Sequence, residues 1–182
     1  MENDTFVAED KVYALWWEGP FTLEELHSLS KNDEVLPKAW TIYSIYSDHP
    51  LYGKNSLTYV GKSRDVLGRL KRHRGDWWYG KVHVASVYEF TNWKNYHGQK
   101  HGDAIIIPEE DKYYKSEEGK VISRVEELLI LGLSPAYNLK NKNTARDSSE
   151  YRLFNWGFVG DVPREVSSRF WIEDIPSKIE QE

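Results

Sequence analysis

The chain has 182 residues, 40% of them apolar, which is enough for one ordinary hydrophobic core and not for two. It contains no cysteine, so disulfide staples, thiolate metal sites and cysteine nucleophiles are excluded, and its net charge of −5 runs against the basic balance common in nucleic-acid binders. Residues 1–5 lack the basic patch and apolar run of a secretory signal, and no apolar stretch approaches bilayer-spanning length, so the expectation is an intracellular, cytoplasmic protein away from membranes.

Residues 11–17 (KVYALWW) read as an aromatic-rich strand. A turn at Gly19-Pro20 follows, then a helix with Thr22 as N-cap and Glu25 three residues on, the spacing of a capping box, running to about Ser30. The stretch 19–26 (GPFTLEEL) resembles part of GYF-like peptide-binding modules. Residues 39–47 (AWTIYSIYS) and 57–61 (LTYVG) form two strands of a hairpin whose turn occupies residues 48–55. A helix then starts at Ser63 or Asp65, with Val66, Leu67 and Leu70 as its apolar stripe. Residues 62–74 carry six Lys and Arg (Lys62, Arg64, Arg69, Lys71, Arg72, Arg74) against Asp65, so this segment is +5 and the remainder −10. Because charges farther apart than about 8 Å are largely screened at physiological salt, such a strip can hold phosphates whatever the total; a solvated helix face is the plainer reading of the charge alone.

Residues 82–90 (VHVASVYEF) are a further strand, and residues 91–119 read as a polar insertion with a short strand or turn near 104–107. A firm helix spans 121–133 and ends at Ser134-Pro135. Residues 141–150 resemble a linker, and the tail brings an aromatic strand (RLFNWGF), a Gly160-Asp161 turn and a short helix after Pro163. His97 and His101 have metal-like spacing, but Gly98 and Gly102 work against a rigid helix there. The pairs Trp16-Trp17 and Trp77-Trp78 can stack on bases, although such pairs more often divide between core and surface.

The order of hairpin, basic helix, strand and acid-bearing helix carries a set of motifs. Thr41-Ile42-Tyr43 precedes Tyr59-Val60-Gly61-Lys62; Arg69 lies ten residues after Tyr59 and His73 four further; Glu126 stands twelve residues before Asn138 in Pro135-x-Tyr137-Asn138. Together these resemble the GIY-YIG nuclease superfamily, and most closely the catalytic domain of the excision-repair incision nucleases, over roughly residues 39–142. Two departures stand out: Thr41 replaces the family's first glycine, and the hairpin loop and residues 91–119 are longer than in minimal members, as in GIY-YIG restriction enzymes.

Phosphodiester hydrolysis needs an activated water, stabilisation of charge on the phosphoryl oxygens and help for the leaving oxygen. Glu126 falls beside Ile122, Leu129 and Leu133 at the margin of the helix's buried stripe, where one carboxylate suits a Mg²⁺ or Mn²⁺ that keeps most of its waters. Its neighbour Glu127 points away and reads as a solvated surface residue. Arg69 and His73, an i, i+4 pair, share one helix face. Arg69 offers a planar donor fork to phosphate in the transition state, and His73 either shuttles a proton or binds phosphate. Tyr43 and Tyr59 sit on neighbouring strands; packed aromatics are the plain reading, while the resemblance implies that one of them, here Tyr43, positions or deprotonates the water. Lys62 steadies water or phosphate, and Gly61 permits close backbone approach. Arg64, Lys71, Arg72 and Arg74 are candidate phosphate contacts; Asn138, grouped with them, is read mainly as a tie between chain end and hairpin.

The expectation is therefore an α/β (α+β) fold, a small, mostly antiparallel sheet flanked by helices. A strand-turn-helix extension would occupy residues 1–38, a nuclease-like core 39–142 with the 91–119 insertion, and a C-terminal extension 143–182. The expected activity is metal-dependent endonucleolytic cleavage of double-stranded or branched DNA. The alternatives are a nucleic-acid-binding module without turnover, or a peptide-binding adaptor led by residues 11–36.

Overall fold

A computed structural model describes residues 11–29, 40–75, 79–90, 103–140, 151–157 and 159–168. Within them the elements run β1 (Lys11–Phe21), α1 (Leu23–Leu29), β2 (Trp40–His49), β3 (Gly53–Lys62), α2 (Val66–His73), β4 (Lys81–Phe90), β5 (Asp103–Ala104), α3 (Glu117–Leu133), β6 (Tyr151–Gly157) and β7 (Glu165–Ser167). The α+β class is the one expected. A single mixed sheet has the order β3-β2-β4-β1-β6-β7, and only the β1/β6 pair is parallel. Strand β5 takes the edge of β4 beyond the end of β2, pairing Ala104 with Tyr88 where β2 reaches only Ser86. The segments read as N- and C-terminal extensions thus supply strands to the same sheet as the hairpin.

Successive residues of a strand face opposite sides, and the sheet accordingly separates two apolar layers. Ile42, Val60 and Ala85 face α3, which covers them with Ile122, Val125 and Leu129. Their neighbours Tyr43 and Val84 face the other way, where α1 and α2 bring Leu23, Leu26, Val66 and Leu70. Leu26 and Leu70 are almost wholly buried, so truncating either to Ala costs on the order of 2–5 kcal/mol.

Local chemistry explains the element ends. Thr22 N–H donates to Glu25 (2.7 Å) while Glu25 N–H donates to Thr22 Oγ1 (3.2 Å), completing the capping box. Helix α2 starts on Asp65, whose carboxylate accepts from Gly68 N–H at 2.8 Å.

Four local expectations are corrected. Strand β1 does not turn at Gly19-Pro20 but continues to Phe21, with a register shift between Glu18 and Phe21. A Cβ on Gly19 would stand 2.8 Å from the carbonyl of Val82, so only glycine lets the irregular strand lie against β4. Helix α3 begins at Glu117, not at residue 121, because Ser116 caps it by accepting from Gly119 N–H and Glu117 and Glu118 suit a first turn. The hairpin strands extend further than read, to His49 and from Gly53, leaving a tight tip. After Pro163 the chain forms strand β7, where Val166 pairs with Leu153 and is buried between Glu165 and Ser167.

Trp17 is fully buried and donates from Nε1 to Asn155 Oδ1 at 2.8 Å, which makes it a core tie between β1 and β6, not a base-stacking surface. Trp77, Trp78, His97, His101 and the 141–150 linker lie outside the described residues.

Candidate active site

The site forms where β2, β3 and α2 meet, at the edge of the sheet. Cross-strand register sets Tyr43 opposite Gly61 and Tyr59 opposite Ile45, so Tyr43, Tyr59 and Gly61 share the face that α2 covers. The Tyr43 and Tyr59 rings stack with centroids 6.0 Å apart. From α2, Arg69 Nε donates to Tyr43 Oη at 3.3 Å, and His73 Nε2 lies 3.4 Å from the same oxygen. The His73 ring also packs 5.2 Å from that of Tyr59. The i, i+4 spacing of Arg69 and His73 is what delivers both side chains to one hydroxyl.

Burial, reinforced by Tyr59 and by the charge of Glu126, pushes the Tyr43 hydroxyl well above its ordinary pKa, and the pull of Arg69 does not reverse this. At neutral pH Tyr43 is therefore a protonated hydrogen-bonding group rather than a ready base. The bond to Tyr43, with one to Tyr59, outweighs burial and raises the pKa of Arg69 further, so its charge is permanent.

Glu126 comes from α3, on the other side of the sheet, and reaches the outer edge of β3. Its Oε1 accepts from Lys62 N–H at 3.0 Å, the amide next to Gly61. Its Oε2 pairs with Lys62 Nζ at 3.2 Å, the two side chains being 16% and 21% exposed. Burial pushes the Glu126 carboxyl above its ordinary value, with Lys62 opposing that shift. Gly61, bare of a side chain, separates this half of the site from the tyrosines: a Cβ there would lie 2.6 Å from Tyr43 Oη.

Two residues in this half were not anticipated. Lys62 Nζ donates to Ser123 Oγ at 2.6 Å and lies 4.6 Å from the centre of the Tyr114 ring. Ser123 stands three positions before Glu126, one helical turn away on the same face, which is the signal that identifies it. Nothing local in the sequence marks Tyr114, which arrives through the fold of the insertion.

The remaining candidates divide. Lys71 and Arg72 are exposed and carry no ion pair among the described residues. Arg74 is exposed too but pairs with Glu24 of α1 at 3.0 Å. Arg64 donates to the carbonyls of Glu109 (2.7 Å) and Asp111 (3.3 Å), holding the insertion against the start of α2. Asn138 spends both halves of its amide on Val60, accepting from its N–H at 2.9 Å and donating to its carbonyl at 2.8 Å; it acts as a surrogate strand partner along the β3 edge. Glu127 is not the solvated residue expected, since it pairs with Arg124 at 3.3 Å and is about one-fifth exposed at 21%.

No cluster of three or more His, Asp or Glu side chains able to hold a metal occurs among the described residues. The oxygen donors fit a hard divalent cation that takes one carboxylate and completes its shell with water and phosphate oxygens. Such a cation would be held by Glu126 and would compete with Lys62 for it. No helix among the described residues is long and apolar enough to cross a membrane. Compared with protein-family models, curated proteins and solved structures, the chain matches none.

Proposed function

We propose that the cluster around Gly61 hydrolyses phosphodiester bonds in DNA, the activity its motifs imply through their resemblance to GIY-YIG nucleases. One observation carries the reading: a permanent cation, Arg69, and a proton carrier, His73, flank a single hydroxyl, Tyr43 Oη, at 3.3 and 3.4 Å. Hydrolysis adds a water oxygen to phosphorus, breaks one P–O ester bond, and requires an acceptor for the water's proton and a donor to the leaving oxygen. Tyr43, held protonated by its surroundings, orients the water; as that water attacks, Tyr43 takes its proton and passes its own to His73 Nε2. Solvent supplies the proton to the leaving oxygen. Arg69 presents its fork to the phosphoryl oxygens as their charge grows. A divalent cation held by Glu126 would neutralise the phosphate. Lys62 would then be available to phosphate, and Lys71 and Arg72 extend the contact along the backbone of a double-stranded or branched substrate.

A second reading, a nucleic-acid-binding module without turnover, is favoured by the ion pair in which Lys62 already neutralises Glu126. Because β1 is bonded along both edges, to β4 and β6, a peptide-binding role of residues 11–36 would have to use a surface other than a β1 edge.

Nicking of supercoiled plasmid with Mg²⁺, Mn²⁺ or EDTA separates the two readings. Wild-type protein and Glu127→Gln should cut with a divalent cation, and Glu126→Gln should lose cutting by orders of magnitude while binding DNA with unchanged affinity. DNA bound tightly but never cut with either cation would end the nuclease reading in favour of the second.

A further inference from the structure

Away from the Tyr43 cluster, at the foot of the β2–β3 hairpin, lies a cavity of about 420 Å³ lined by Tyr46, Ser47, Asp48, Asn55, Tyr79, Gly80 and Lys81. This volume falls in the lower part of the range of roughly 300–1,000 Å³ typical of small-ligand pockets. Its exposed members, Asp48, Asn55 and Lys81, offer a carboxylate, an amide and an ammonium, a set suited to the donors and acceptors on the edge of a flat heterocycle. Glycine at position 80 lets the chain entering β4 lie close against β2, since a Cβ there would collide with the carbonyl oxygen of Tyr46.

The tip of the same hairpin, beyond the lining residues Asp48 and Asn55, is apolar, exposed and held by local hydrogen bonds. Leu51 is 85% exposed and Tyr52 69%. His49 Nδ1 accepts from both Leu51 N–H (3.0 Å) and Tyr52 N–H (3.2 Å), and its ring stacks on Tyr52 at 4.6 Å. Below the tip Asn55 N–H donates to Asp48 at 3.0 Å and Ser56 Oγ to the carbonyl of Gly53 at 3.0 Å. A leucine fixed outward on a rigid turn is the shape of a wedge that enters a base step and unstacks it. A cation able to hold the backbone beside such a step is part of the lining: Lys81, at the start of β4, is exposed.

We propose that Leu51 acts as a wedge and that the cavity at the foot of its hairpin receives the nucleobase it displaces from a nucleic-acid duplex. Proteins that extrude a base seat it in a pocket that reads its edge by hydrogen bonds and covers its faces with aromatic or apolar groups. Wedge, pocket and the Lys81 cation stand here on one hairpin and the adjoining start of β4. The inference rests on the proposed DNA substrate and deepens it: the substrate would be a duplex opened at one step, and the pocket would be a recognition element separate from the chemistry at Tyr43.

The test uses the full chain and a set of duplexes of one sequence, each with a single 2-aminopurine at a successive position, in EDTA so that the DNA stays intact. Wild-type protein at saturation should raise the fluorescence several-fold at one position and leave the others near the free-duplex level. Leu51→Ala, a change at an exposed residue that leaves the core alone, should abolish the rise. Asp48→Asn, which keeps an acceptor for Asn55 N–H and removes the carboxylate of the lining, should reduce it, with circular dichroism melts confirming that both variants fold. Saturated complexes that brighten at no position overturn the inference, as does the absence of duplex binding or a full rise with Leu51→Ala. Binding of free adenosine monophosphate that Lys81→Ala weakens, without any brightening of a duplex, also overturns it by making the pocket a site for free nucleotide. A bright position in a protein that cuts no DNA leaves the pocket standing while the nuclease reading falls; cutting with Mg²⁺ and no bright position does the reverse.

Discussion

Replacing Gly61 by Ala is the most direct test of whether the Tyr43 hydroxyl is a working group or only a packed one. A Cβ at position 61 would stand 2.6 Å from both Cζ and Oη of Tyr43 and 2.8 Å from Cε1 of Tyr59, whereas ordinary contact begins at 3.4 Å. Tyr43 must therefore retreat by about 0.8 Å. It has no cheap direction to take, because it is fully buried, with Tyr59 at 6.0 Å on one side and His73 at 6.4 Å on another, measured between ring centroids. Forcing an extra methyl into such packing costs about 1–3 kcal/mol. The contacts to Arg69 Nε at 3.3 Å and His73 Nε2 at 3.4 Å are already long, so a shift of this size takes the hydroxyl out of reach of one or both. A displacement approaching 1 Å at a reacting centre can lower the rate on the order of 100-fold, and that is the expected loss in plasmid nicking at saturating DNA, with stability followed by urea unfolding. The double variant Gly61→Ala/Tyr43→Phe sharpens the result. Removing the oxygen relieves part of the collision, so the stability loss should shrink while cutting stays low, a coupling that a double-mutant cycle reads directly. A Gly61→Ala protein as stable as the wild type and cutting at its rate would refute the reasoning.

Other outcomes follow from the same geometry. Arg69→Lys keeps a charge but loses the planar fork, so kcat should fall while DNA affinity holds; wild-type turnover would remove Arg69 from the transition state. Changing Lys71, Arg72 and Arg74 together to Ala should flatten the log–log salt dependence of DNA binding by about 0.9 per lost phosphate contact, with Arg74 the weakest contributor because Glu24 already partners it; an unchanged slope in filter-binding titrations would show that this face does not meet DNA. Burial pushes the Asp111 carboxyl up, but hydrogen bonds from the Ser116 hydroxyl and the backbone of Lys115 and Ser116 outweigh it and bring it from 3.8 down to about 2. A depressed folded-state value gives stability that is complete above about pH 4 and is lost as the pH falls toward 2. Asp111→Asn should accordingly be less stable than wild type at pH 6 and nearly equal to it at pH 2 in urea melts; a gap independent of pH would exclude this carboxylate.

Much of the chain was legible before its fold was described because short-range rules govern it. The capping box of Thr22 and Glu25, the Val66/Leu70 stripe behind Asp65, the alternation along residues 82–90 and the stop at Ser134-Pro135 are decided by neighbours within a turn or two of each other. The same holds for the convergence of Arg69 and His73, which needs only 3.6 residues per turn.

What tertiary structure alone decided involves partners far apart in sequence. That β1 enters the middle of the sheet between β4 and β6 depends on pairings such as Leu15 with Val87 and with Asn155, which no local pattern encodes. Gly19 carries β1 past its expected turn because of a carbonyl on Val82. The sequence marked Glu126 but not its partnership with Lys62, Ser123 and Tyr114, nor that Asn138 and Arg64 would be occupied by backbone. Residue type and spacing show what a side chain is able to do. Whether it is left free to do so depends on which groups the folded chain brings within about 3 Å of it, since hydrogen bonds and ion pairs fade beyond that reach.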